Sequence, residues 1–174
     1  VTDRPRLGVT VEHNFETAHR LPALGGKCVN LHGHSWTVLW EITGYPDADG
    51  ILVEYGSLKR VLRSWVDAHL DHGTILGAGD RLVHPLLEEG CRIFRFGVQK
   101  DDRTINGWQH ARPPIPDAED LITDHPWPTV ESVAVLLARA GTLLLPAAGG
   151  NETLEVRRVV IRETAVNGAT WTVP

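Results

Sequence analysis

The chain has 174 residues, 42% hydrophobic and 22% charged, with a formal net charge of −5. That is ordinary for one globular domain with a real core, and short for two. No run of Lys and Arg suggests a nucleic-acid arm, and no uninterrupted apolar run approaches the ~20 residues of a membrane span. The first residues, Val1 to Arg6, lack the apolar core of a signal peptide, and two cysteines, Cys28 and Cys91, make no disulfide framework. A reducing cytoplasm is the expected compartment.

Leu7 to Phe15 alternates apolar and polar residues, predicting a half-buried strand that runs on toward Glu16–Leu21. A turn rich in Pro and Gly follows at Pro22–Gly26. Ser35 to Gly44 reads as a second strand, with Trp36, Val38, Trp40 and Ile42 on one face. The period then changes. Leu58, Val61, Leu62, Trp65, Val66 and His69 recur at helical steps, predicting an amphipathic helix over about Tyr55–Ala68. Residues 73–127, rich in Gly and Pro and with little periodicity outside Leu82–Leu87, read as an irregular insertion. A second helix spans Ser132–Leu145 behind a Thr129 N-cap. Leu154, Val156, Val159 and Ile161 make a strand, and Asn167-Gly168 turns it into a last one, Ala169–Val173. Antiparallel strands with helices packed on one face make an α+β domain.

The chemistry gathers in Cys28-Val29-Asn30-Leu31-His32-Gly33-His34. On a strand, residues two apart share a face, so His32 and His34 aim at one point if the strand that follows begins there, with Gly33 leaving room between them. Catalytic zinc takes three protein ligands and keeps one position open. His19, in Phe15-Glu16-Thr17-Ala18-His19-Arg20-Leu21, is the candidate third ring, because antiparallel pairing brings it toward the other two. Cys28 admits three readings: a buried structural thiol, a fourth ligand closing a structural site, or a thiolate activated by Lys27 and a nearby ion. Arg20 and Lys27 are candidates for a phosphate-binding patch. Asp71-His72 has the form of an acid–base pair. Glu131 reads as the acid of a capping box with Thr129, and Glu163 as either edge solvation or a ligand for paired N–H donors.

In this order the segments FETAHRL, KCVNLHGHS, LDH, PTVES and RET resemble the successive signatures of the 6-pyruvoyl- and 6-carboxy-tetrahydropterin synthase family. The resemblance covers about Leu7–Ala68 and Pro128–Trp171. It implies the tunnelling fold, a β2α2β2 unit whose sheets join across subunits into a barrel. A homo-oligomer, hexameric or tetrameric, with pockets at subunit contacts is implied with it. It implies zinc on His19, His32 and His34, and Cys28 as the proton-abstracting thiolate assisted by Asp71 and His72 of the same or a neighbouring subunit. Glu163 would anchor the pterin, with Thr129 and Glu131 in the same pocket.

Three residues separate Cys28 from His32, the spacing of the carboxy-forming branch that feeds queuosine and 7-deazapurine synthesis. The implied reaction turns 7,8-dihydroneopterin triphosphate into 6-carboxy-tetrahydropterin, acetaldehyde and triphosphate. Two other readings stand beside it: a synthase that stops at the 6-pyruvoyl product or trims a related pterin, and a non-catalytic zinc-stabilised interaction domain. The chain departs from the family pattern at Glu54, usually Asp, which predicts an altered cap on the first helix. It departs again after Asp71-His72, where Gly73-Thr74-Ile75-Leu76 replaces a Leu-Asn continuation, and in the insertion. Arg92, Arg95, Arg103, Arg112 and Trp108 of that insertion are candidates for a lid over the triphosphate or for an oligomer contact.

Overall fold

In the computed structural model, which describes residues 5–99 and 118–173, two long strands form the spine. They are β1 (Leu7–His19) and β2 (His32–Gly44), antiparallel along their whole length. Val11 and Phe15 of β1 bury on the same face as Trp36, Val38, Trp40 and Ile42 of β2, as the alternation requires. Helix α1 (Tyr55–His69) and helix α3 (Val130–Leu144) contribute Leu58, Leu62, Trp65, Leu136 and Leu137 to the same core.

Both helices start where the sequence places caps. Glu54 departs from the family's Asp but caps α1 with both oxygens, each 2.6 Å from an amide, Gly56 or Ser57. Those amides hold its carboxyl below the usual range. Thr129 Oγ1 accepts from the Ser132 amide at 3.2 Å. Glu131 is no partner in a capping box: it lies two residues past the cap rather than three, and is exposed. Gly141 lets α3 approach closely; a Cβ there would stand 3.2 Å from Trp40, whose indole N–H donates to the Leu137 carbonyl. With the turn after it, α3 extends over Val130–Ala148, 19 residues of mean hydropathy 1.5. By length and composition it would pass for a membrane span, but its buried residues pack into the domain core.

The insertion is only partly irregular. Strand β3 (Gly73–Gly77), helix α2 (Val83–Glu88) and strand β4 (Ile93–Phe96) fold onto the spine. β3 lies parallel to the end of β1, and β4 parallel to β3. With β5 (Glu155–Arg162) and β6 (Gly168–Thr172) the sheet reads β4-β3-β1-β2-β5-β6. It is therefore mixed rather than purely antiparallel. The sparse periodicity of 73–96 is that of short strands buried on both faces over most of their length, whose residues do not alternate apolar and polar.

The register of β5 on β2 shifts at Arg157, which is why Val156 and Val159, an odd number of residues apart, both face the core. The β5–β6 turn is also longer than a two-residue Asn-Gly hairpin. Arg162 pairs with Gly168, and residues 163–167 form the loop, with Thr164 Oγ1 accepting from the Val166 and Asn167 amides.

Candidate metal centre

The β1–β2 register decides the site. His19 stands directly opposite His32, and Thr17 opposite His34, so all three rings fall on the core-side face at the end of the sheet. Their centroids are 4.7, 5.3 and 4.8 Å apart, and Trp36 backs His19 edge-on at 5.2 Å. One donor atom from each ring lies within 4.8 Å of the other two, so the trio can hold a metal ion.

Backbone carbonyls orient two of the rings. His19 Nδ1 donates to Pro128 O at 3.0 Å and His32 Nδ1 to Asn30 O at 2.8 Å, leaving Nε2 of each as a lone-pair donor. A carbonyl on the distal nitrogen is the usual support of a ligating histidine. Burial pushes the His19 pKa down, against the opposing pull of Pro128 O and Glu163, which favours the neutral ring. Nε2 of His19 and of His34 are buried and, among the described residues, make no hydrogen bond. Buried polar atoms are rarely left so, and a cation is what their lone pairs fit.

Glu163, one residue past β5, reaches this centre: its Oε1 is 3.1 Å from His19 Nε2 and 3.7 Å from His34 Nε2. Cys28 does not belong to the group. It is half-buried in the helical turn Gly26–Val29, whose entry uses Gly25 and Gly26 at φ 79° and 61°. Thr129 stands next to Pro128, so the cap of α3 and the carbonyl holding His19 are neighbours.

Asp71 and His72 form a pair of their own. Asp71 Oδ1 accepts from the Glu16 amide at 2.8 Å, and Oδ2 lies 2.7 Å from His72 Nδ1. Burial opposes ionisation of Asp71, but the Glu16 amide and the His72 ring outweigh it and leave the pKa low. His72 sits at φ 53°, a conformation that costs a non-glycine residue energy, and its side chain is 77% exposed. Among the described residues neither group makes a hydrogen bond or ion pair with Cys28 or the histidine trio. An open cleft of about 290 Å³ is lined by Glu16, Thr17, Gly33, His34, Ser35 and Gly73, among others.

Several expected phosphate ligands are committed elsewhere. Arg20 is buried in a bidentate pair with Asp80, at 2.7 and 2.5 Å, which raises the guanidinium pKa. Arg92 donates to the Asp67 and Ala68 carbonyls at the end of α1, and Arg95 is paired with Glu119. Arg103, Trp108 and Arg112 lie outside the described residues. Lys27 is exposed beside Cys28 and keeps its candidacy.

A family profile described as 6-pyruvoyl tetrahydropterin synthase matches residues 8–173. The chain belongs to this family. Among curated relatives, a 6-carboxy-5,6,7,8-tetrahydropterin synthase of Rickettsia typhi is 32% identical over 86 residues, 47% of this chain and 61% of the relative. A protein of the same name from Haemophilus influenzae is 31% identical over 71 residues, 38% of this chain and 50% of its own length. The chain thus spans about three fifths or less of these relatives. Among solved structures, 6-pyruvoyl tetrahydropterin synthase of Caenorhabditis elegans superposes with a TM-score of 0.61 at 18% identity, covering 100% of both chains. That likeness establishes the tunnelling fold.

Proposed function

We propose that the protein is a 6-carboxy-tetrahydropterin synthase, converting 7,8-dihydroneopterin triphosphate to 6-carboxy-tetrahydropterin, acetaldehyde and triphosphate. The observation that carries this is the convergence of His19, His32 and His34, two with buried and unsatisfied Nε2 atoms, in a protein of this family. The short Cys28-to-His32 spacing and the relatives' names support the carboxy-forming branch. A zinc ion on these nitrogens would supply Lewis acidity, lowering the pKa of carbon acids that adjoin the substrate's oxygens.

The protein's own groups do the rest. Cys28, as thiolate, accepts the proton from carbon. Asp71, fixed by the Glu16 amide, holds His72 by Nδ1 and leaves its other nitrogen to carry protons outward, where a neighbouring subunit would stand in a homo-oligomer. Glu163 is suited to the paired amino and ring N–H donors of a pterin, and the family resemblance assigns Thr129 and Glu131 to the same pocket. Free Cys28 and Cys91 are compatible with a reducing cytoplasm. A product entering queuosine or 7-deazapurine synthesis belongs to the same proposal.

Incubation with 7,8-dihydroneopterin triphosphate should release acetaldehyde; a 6-pyruvoyl product without acetaldehyde would place the protein in the other branch. Cys28→Ala should keep its metal and lose turnover by on the order of 10²- to 10⁴-fold. Loss of metal with Cys28 would instead indicate a closed structural site.

A further inference from the structure

We propose that Glu163 is a fourth, exchangeable ligand of the ion held by His19, His32 and His34, filling the open position until a pterin draws its carboxylate away. This rests on the reading of the trio as a metal centre and adds a gate to it.

Proton placement sets the first constraint. His19 Nδ1 faces the Pro128 carbonyl, an acceptor only, so Nδ1 carries the hydrogen and the neutral ring turns a lone pair out at Nε2. Opposite that lone pair, at 3.1 Å, stands a carboxylate oxygen. Two electron-rich atoms at that distance repel each other unless a cation lies between them. A proton on Nε2 would need to lie nearly in line with the oxygen, yet this approach does not meet hydrogen-bond geometry. The same oxygen is 3.7 Å from His34 Nε2, again with no hydrogen bond. One positive centre set off both lines accounts for both contacts. With ligand bonds of about 2.0–2.2 Å, neighbouring donors around a tetrahedral ion stand about 3.3–3.5 Å apart. The observed 3.1 and 3.7 Å bracket that separation.

Placement and charge agree. β5 pairs Arg162 with Thr37, so Glu163 is carried one step further toward His34. Its amide donates to the Asn167 carbonyl, and its side chain is only 17% exposed. Three neutral imidazoles leave a divalent ion its full charge beside a His19 ring that is 1% exposed; one carboxylate halves that charge. A carboxylate committed to the ion cannot also bind the amino and ring N–H groups of a pterin. Docking of the ring therefore opens the fourth position for the substrate's own oxygens, and the ion stays closed to solvent and stray anions until then.

The test uses the full-length protein stripped of metal and reloaded with Co(II) alone. Wild type and Glu163→Gln are compared by visible absorption, by competition for Co(II), and by titration with azide. Removing a first ligand should weaken Co(II) binding at least as much as losing an outer-shell partner does, roughly 10-fold or more. Azide should perturb the Co(II) bands of the variant at concentrations that leave wild type unchanged. Equal affinity and equal azide response would overturn the gate while leaving the metal centre standing. Failure of wild type to bind Co(II), or binding that survives His34→Ala, would overturn the metal centre and the gate with it. If Glu163→Gln does not fold, Glu163→Ala and the azide response of wild type alone decide: an open position in the resting protein refutes the proposal.

Discussion

Acidification should destabilise this protein through one buried residue outside the histidine trio, His69. It lies in the last turn of α1, buried against Trp65 at 4.6 Å and Phe94 at 6.1 Å between ring centroids. Burial, reinforced by Arg92, pushes its pKa down from 6.5 to about 4. The unfolded chain takes up this proton first as pH falls, so the stabilisation is full above about pH 6.5 and lost as pH drops toward 4. A gap of about 2.5 units corresponds to about 3 kcal/mol, nearly all of it gone by pH 4. Urea unfolding of metal-free protein between pH 4.5 and 7.5 should show it, compared with His69→Gln, which keeps a polar group but does not titrate. The variant starts less stable, and its stability should fall with acid by roughly 2–3 kcal/mol less than that of wild type. Parallel profiles would refute the reasoning, because the slope depends only on the proton.

The Arg20–Asp80 pair, both members nearly buried, predicts that Asp80→Ala costs about 3–5 kcal/mol by stranding the guanidinium. For a protein of this size that is a fall in Tm of about 10 °C, and Arg20→Met with Asp80→Leu should recover most of it in a thermal melt. Thr129→Ala should cost about 1 kcal/mol through the lost N-cap of α3, readable by urea unfolding, with Thr129→Ser close to wild type.

Much of the site was legible because its logic is local. His32-Gly33-His34 shares a face by the two-residue period alone, and the apolar alternation of β1 and β2 fixes which face that is. Those two facts made His19 the candidate third ring, and the β1–β2 register sets it opposite His32. The Thr129 cap was legible for the same reason, since a cap acts within one turn; Glu54, expected to alter the cap of α1, caps it with both oxygens. What escaped was whatever depends on elements far apart in sequence. Arg20 looks like a free cation beside the motif until β3 brings Asp80 to it, 60 residues later. Arg95 resembles a phosphate ligand until Glu119 claims it. The strands of 73–96 escaped because a buried parallel strand shows no alternation to read.

The sequence by itself determined the three rings, the strand period that aligns them, the thiol and the helix caps. These are short-range properties that hold whatever the rest of the molecule packs against. Only the tertiary structure decided which charges are spent on the scaffold, which carbonyl turns His19, and that Glu163 comes to rest on the trio rather than in solvent. Those outcomes depend on the register and packing of elements far apart in sequence, where burial selects the partner and no local pattern records the choice.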